Sequence, residues 1–284
     1  MALALDPVVS TAWLADRLRA PGVRVIDGSW HMPAENRSGR EEYLQAHIPG
    51  AVFFDIDEIA DRATDLPHML PSPEAFARAA GELGLSRDAD IVVYDTFGIR
   101  SAARVWWTLR VMGYAKVHVL DGGLRKWMAE GRPIEPGEAY PPRVSVEPKF
   151  DPGLVRDLDQ VKAIVESGGA CLVDARSAAR FAGDAPEPRA GLRSGHMPGA
   201  ANLPWELVVG EDGVLRSEAE LKAAFKAAGV RLNKPIVTTC GSGVTASVLA
   251  LALARLGVDR AAVYDGSWTE WGGRDDTAVV TGDT

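Results

Sequence analysis

Short β-branched runs alternate with amphipathic stretches along the whole chain. Val23-Arg24-Val25-Ile26, Ile91-Val92-Val93-Tyr94, Val117-His118-Val119-Leu120, Leu172-Val173-Asp174 and Pro235-Ile236-Val237-Thr238-Thr239 predict short, largely buried strands. The stretches between them carry helix signals. Ser10 opens a helix after Pro7, and Ser72-Pro73-Glu74 sets an N-cap serine before a first-position proline ahead of Ala75 to Ala80. Ser217-Glu218-Ala219-Glu220 has the spacing of a capping box before Leu221 to Ala228. Two further helices are predicted over Ser101 to Met112 and Ala246 to Ala254. Strands and helices in alternation predict an α/β fold of parallel sheets covered by helices, with ligand sites at the carboxyl ends of strands.

The pattern occurs twice. Asp27 is matched by Asp174, the segment His47-Ile48-Pro49-Gly50-Ala51 by His196-Met197-Pro198-Gly199-Ala200, Asp95 by Cys240, and Asp121-Gly122-Gly123 by Asp265-Gly266-Ser267. The offsets are 147, 149, 145 and 144 residues, so landmarks keep their order at an almost constant spacing. Such spacing implies duplication of a whole domain. The expected organisation is a first copy over residues 1–136, a linker over 137–151 rich in proline, and a second copy over 152–284.

The two copies differ where chemistry would sit. In the second, the buried run ending at Thr239 is followed by Cys240-Gly241-Ser242-Gly243-Val244-Thr245 and then by a helix former. A strand, a glycine loop and a helix N-terminus together collect backbone N–H groups around one point, a setting that favours a thiolate or the anion it carries. The first copy has Asp95-Thr96-Phe97-Gly98-Ile99-Arg100 there. A carboxylate cannot replace a thiolate as a sulfur nucleophile, so this loop is expected to be catalytically silent, with Asp95 and Arg100 paired to each other.

Composition narrows the setting. At 46% hydrophobic and 25% charged residues the chain is that of a globular protein, and a formal charge of -8 argues against nucleic-acid or anionic-membrane surfaces. Cys171 and Cys240 are the only cysteines, too few for a disulfide framework, and nothing has the spacing of a zinc site. The opening Met1-Ala2-Leu3-Ala4-Leu5-Asp6-Pro7 has no basic or long apolar segment, and the expected compartment is the cytoplasm.

With these residues in hand the chain resembles the tandem-domain rhodanese superfamily of sulfurtransferases over nearly its whole length. The resemblance implies two rhodanese-like domains, each a mostly parallel sheet flanked by helices, with a silent first copy and a catalytic second one. The neutral loop after Cys240 resembles that of members using 3-mercaptopyruvate, whereas thiosulfate-using members carry Arg and Lys there. The resemblance also implies two carboxylate-binding arginines, matched by Arg180 before Phe181 and by Arg189 after Glu187-Pro188, with Arg193 a weaker candidate. It further implies a Ser-His-Asp set, matched by Ser242, His68 and Asp57, with Asp55 as the alternative aspartate. The N–H groups of Gly241, Gly243, Val244 and Thr245 would hold the bound sulfur. His47 and His196 read as structural, each preceding a Pro-Gly turn.

The implied reaction moves sulfur from the donor to Cys240 as a persulfide and then to a thiol, a thioredoxin-like dithiol or cyanide, with no metal or organic cofactor. Three other readings stand beside it: a thiosulfate sulfurtransferase, a non-catalytic rhodanese-like binding module, and a cysteine phosphatase. A phosphatase cradle needs arginine at the seventh position counted from the cysteine; here that residue is Ala246. A binding module would be expected to have lost the cysteine, as the first copy has.

Overall fold

The structure is a computed structural model and describes residues 6–282. It contains two compact units. The first comprises the described residues up to Arg62 together with Leu70–Asp151 and Val209–Leu215, and the second comprises Ala63–Met69, Pro152–Val208 and the described residues from Arg216 onward.

In the first unit the elements run β1 (Val8–Val9), α1 (Thr11–Arg17), β2 (Val23–Asp27), α2 (Gly39–Gln45), β3 (Val52–Phe53), α3 (Pro73–Glu82), β4 (Asp90–Tyr94), α4 (Ser101–Val111), β5 (Val117–Leu120) and α5 (Gly123–Ala129). The second unit runs β6 (Val155–Arg156), α6 (Leu158–Ser167), β7 (Cys171–Asp174), α7 (Ala178–Ala182), β8 (Ala201–Asn202), α8 (Glu218–Ala227), β9 (Ile236–Thr239), α9 (Val244–Arg255), β10 (Ala262–Tyr264) and α10 (Ser267–Trp271). Each unit is built on a five-stranded sheet, ordered β1-β5-β4-β2-β3 in one and β6-β10-β9-β7-β8 in the other. All the ladders in both sheets are parallel. The same order at a near-constant offset is what whole-domain duplication produces.

Local chemistry sets several boundaries where the sequence placed them. The hydroxyls of Ser10 and Ser72 accept the N–H groups of Trp13 and Ala75, and Ser217 and Glu220 form a reciprocal capping box. The helix after the cysteine begins earlier than expected, at Val244, because Gly243 takes up a φ of 79° and turns the chain directly into it. It is buried on nearly every face, which its unbroken run of Ala, Leu and Val permits. The segment 137–151, expected to be a linker, lies along the first unit. There Val144 N–H donates to the Gly81 carbonyl at 3.0 Å and Asp151 N–H to the Val111 carbonyl at 2.7 Å. A side chain at Gly81 would meet the Val144 carbonyl at 2.6 Å.

Residues 209–215 form a hairpin that closes over the silent loop. Gly210 N–H donates to the Val214 carbonyl at 2.8 Å, and Leu215 N–H donates to Asp121 Oδ1 at 2.9 Å. Gly213, with a φ of 77°, faces Gly98 so closely that a Cβ on either residue would fall within 2.8 Å of the other's Cα.

The duplicated aspartates that end β2 and β7 differ in their partners. Asp174 pairs with Arg176, but Ser29 stands at the corresponding place in the first unit, and Asp27 has only neutral donors such as the Ser29 N–H at 2.9 Å. Burial therefore pushes the Asp27 carboxyl above its ordinary 3.8 to about 6, a rise that hydrogen bonds from Ser29 and Tyr94 only partly oppose and that the Asp95 charge reinforces. Since its folded value exceeds its unfolded one, this group favours folding at pH below about 4 and loses that contribution as pH rises through 6. Asp27→Asn is expected to stabilise the protein by about 2–3 kcal/mol at pH 8, with the gain shrinking below pH 5. Thermal unfolding at both pH values checks this, and a pH-independent effect would refute it.

Candidate functional site

Cys240 follows β9 directly, at the carboxyl end of the sheet, and is 2% exposed. Its loop is anchored from behind by α10. The Cys240 carbonyl accepts the Trp268 N–H at 2.9 Å, and the Gly241 carbonyl accepts both the Thr269 N–H at 2.9 Å and the Thr269 hydroxyl at 2.7 Å. A trans peptide directs its N–H opposite to its C=O, so holding these carbonyls on α10 turns the Gly241 and Ser242 N–H groups the other way. The Cys240 N–H donates to Ser267 Oγ at 3.3 Å, and that hydroxyl donates to the Tyr264 carbonyl at 2.8 Å. Ser267 holds a φ of 49°, a costly conformation for a residue with a side chain. Its counterpart in the first copy is Gly123, where a Cβ would collide with the Asp95 carbonyl oxygen.

The silent loop shows what such a loop binds. Asp95 Oδ1 accepts the N–H groups of Phe97 and Gly98 at 2.9 and 2.7 Å, and Oδ2 accepts those of Arg100 and Ala102 at 2.9 and 2.8 Å. Four backbone donors thus converge on one anionic side chain. The 145-residue offset carries those four positions to Ser242, Gly243, Thr245 and Ser247, around Cys240. The expected Asp95–Arg100 side-chain pair is not what forms. The Arg100 guanidinium instead reaches Glu35 at 3.2 Å and the Trp30 carbonyl at 3.1 Å, because backbone donors already fill the Asp95 carboxylate.

Both candidate arginines come to the cysteine loop. A Cβ on Gly241 would stand 3.2 Å from Arg180 Nη2 and 4.0 Å from Arg189 Nη1. Arg180, on α7, is held by Glu187 through Nε at 3.2 Å and Nη2 at 2.5 Å. Glu187 also accepts Arg176 Nη1 at 2.8 Å, and Arg176 is locked on Asp174 and on the Gly195 carbonyl. Burial alone would lower the Arg176 pKa, but the Asp174 and Glu187 carboxylates outweigh it and hold the guanidinium firmly charged.

The remaining site residues lie in different units. His68 is 6% exposed with a φ of 61°, and it belongs to the second unit, as do Cys240 and Ser242. Asp57 belongs to the first, where its Oδ2 accepts the Trp30 indole N–H at 2.8 Å. The alternative, Asp55, accepts the N–H groups of Asp57 and Glu58 and so caps its own turn.

Comparison with known proteins agrees with this geometry. The Rhodanese-like domain family matches residues 10–130 and 157–274. The chain belongs to the rhodanese family. It is 45% identical over 272 residues to the 3-mercaptopyruvate sulfurtransferase of Escherichia coli K12, covering 95% of this chain and 96% of that one. It is also 45% identical over 271 residues to the thiosulfate sulfurtransferase of Bos taurus, covering 93% and 91%. The crystal structure of SseA from Escherichia coli superposes with a TM-score of 0.86 at 43% identity, over 93% of this chain and 99% of that one.

Membership in the rhodanese family accounts for the duplicated sheets and the cysteine loop, but equal identity to relatives named for two donors does not choose between them. The loop and its arginines must do that. Arg193, a weaker candidate from sequence, is committed elsewhere: its guanidinium donates to the carbonyls of Trp271, Gly272 and Thr277 and pins the C-terminal segment. His47 and His196 are structural as expected, each bonding a backbone carbonyl at 2.8 Å and stacking on Tyr43 or Phe181. Sequence reasoning missed Arg176, Glu187, Ser267 and Thr269. Two of these left a signal: Ser267 as serine where the first copy has glycine, and Glu187 as part of the Glu-Pro pair that marks Arg189.

Proposed function

We propose that this protein transfers sulfur from 3-mercaptopyruvate. The observation that carries the reading is the convergence of Arg180 and Arg189 on an otherwise neutral cysteine loop. Forked guanidinium groups suit the donor's carboxylate and adjacent ketone, and no further cation follows Cys240 to attract a dianion.

In this mechanism the Cys240 thiolate attacks the donor sulfur. The carbon–sulfur bond breaks, its electron pair passes to carbon as the enolate of pyruvate, and the sulfur stays on Cys240 as a persulfide. The loop N–H groups stabilise the persulfide anion left when the donor's thiol proton passes to the Ser242–His68 relay, as their counterparts stabilise the Asp95 carboxylate. Ser242 and His68 supply the proton that converts the enolate to pyruvate. Support for their pairing comes from the duplication. The 145-residue offset carries Gly213 to His68 and Gly98 to Gly243, and in the first unit Gly213 faces Gly98. His68 also repeats the left-handed backbone of Gly213, a conformation that costs a residue with a side chain free energy. Asp57 enters only through the family resemblance. A thiol, a thioredoxin-like dithiol or cyanide then attacks the outer sulfur and releases the Cys240 thiolate.

Steady-state turnover with the two donors side by side tests the reading. The expected kcat/KM for mercaptopyruvate exceeds that for thiosulfate by at least about tenfold, the equivalent of one charge-assisted contact. Ser242→Ala and His68→Ala are expected to slow the mercaptopyruvate reaction alone, since release of sulfite needs no carbon protonation. A faster thiosulfate reaction would favour the second reading, which the equal identity to the Bos taurus relative keeps open.

A further inference from the structure

Glu187 is almost fully buried, at 2% side-chain exposure, between two guanidinium groups. The side chains of Asp174, Arg176, Glu187 and Arg180 form a line of alternating charge that starts at the carboxyl end of β7 and ends at Gly241. Arg176 is its hub. Besides its bonds to Asp174, Glu187 and Gly195, it stacks on the Trp268 ring at 4.2 Å, and the Trp268 backbone N–H holds the Cys240 carbonyl. The frame that fixes the cysteine loop therefore also fixes Glu187.

We propose that Glu187 is a positioning residue that sets donor selectivity, an inference that rests on the sulfurtransfer reading above. It acts in two ways. By occupying the Nε and Nη2 edge of Arg180, Glu187 fixes the guanidinium plane and leaves Nη1 and the second Nη2 hydrogen to meet a donor. It also sets a negative charge behind that cation. Coulomb repulsion scales with ligand charge, so this carboxylate penalises the thiosulfate dianion about twice as much as a single carboxylate. Precise placement thus benefits mercaptopyruvate, while partial neutralisation of Arg180 disfavours the competing donor.

Charge and reach can be separated by substitution. Glu187→Gln keeps the length and removes the charge. It is expected to raise KM for mercaptopyruvate by about tenfold with little change in kcat, and to raise kcat/KM for thiosulfate by at least about threefold. Glu187→Asp keeps the charge but is too short to span both arginines. It is expected to raise KM for mercaptopyruvate similarly without improving thiosulfate. In an Arg180→Ala background, Glu187→Gln is expected to add little further loss with mercaptopyruvate. Equal losses with both donors, or an unchanged KM for mercaptopyruvate in Glu187→Asp, would overturn the inference, and the second criterion holds even if Glu187→Gln fails to fold. Wild-type protein that takes no sulfur from mercaptopyruvate would refute the functional reading itself, whereas an active wild type with a flat Glu187 series refutes only this inference.

Discussion

Cys240→Ser is expected to reduce sulfur transfer from every donor to background while leaving the fold intact. Serine is nearly isosteric, and the site's anchors are the Cys240 backbone N–H and carbonyl on Ser267 and Trp268, which a serine keeps. A hydroxyl, however, is too weakly acidic to serve as the nucleophile, and it cannot store sulfur as a persulfide. The loss should therefore appear in turnover alone, with thermal unfolding unchanged. Cys171, half-buried at the start of β7, takes no part in the site, and Cys171→Ser is expected to retain turnover. Activity in Cys240→Ser, or its loss in Cys171→Ser with the fold intact, would contradict the assignment.

Arg180→Ala and Arg189→Ala should produce the next largest effects, and these should be specific to one donor. Each removes a charge-assisted contact worth about 1.5–3 kcal/mol, or roughly ten- to a hundredfold in kcat/KM for mercaptopyruvate. The effect should fall on KM through the carboxylate, which does not change charge, and on kcat through the ketone, whose oxygen gains charge as the enolate forms. Arg180→Ala has a second consequence, since Glu187 would then keep only its bond to Arg176. Its buried charge would be less well compensated, so this variant should also lose more thermal stability than Arg189→Ala. Equal losses with mercaptopyruvate and thiosulfate in both variants would mean that the arginines shape the loop without reading the carboxylate.

Much of the fold was legible because its signals are local. Strand runs, serine caps and the recurrence of whole landmarks all lie in contiguous residues. The loop was legible for the same reason, as were Arg180 and Arg189 through their neighbours Phe181 and Pro188. What remained hidden depends on contacts distant in sequence. Ser267 meets Cys240 across 27 residues, and the hairpin 209–215 clusters with the first unit although it lies in the second copy. Arg176 looks like an ordinary charged residue, and Glu187 like no more than a marker of Arg189, until burial brings them together. The Asp95–Arg100 pairing failed for a physical reason as well, since a carboxylate surrounded by four loop N–H groups has no need of a cation.

The central claim is that Cys240 carries the transferred sulfur. Mass spectrometry of the intact protein and its peptides, after incubation with mercaptopyruvate and no acceptor, measures this directly. The account predicts that the Cys240 peptide gains the mass of one sulfur atom, that the Cys171 peptide does not, and that an added thiol removes the sulfur. Turnover with no sulfur on Cys240, or with the sulfur on Cys171, would contradict it.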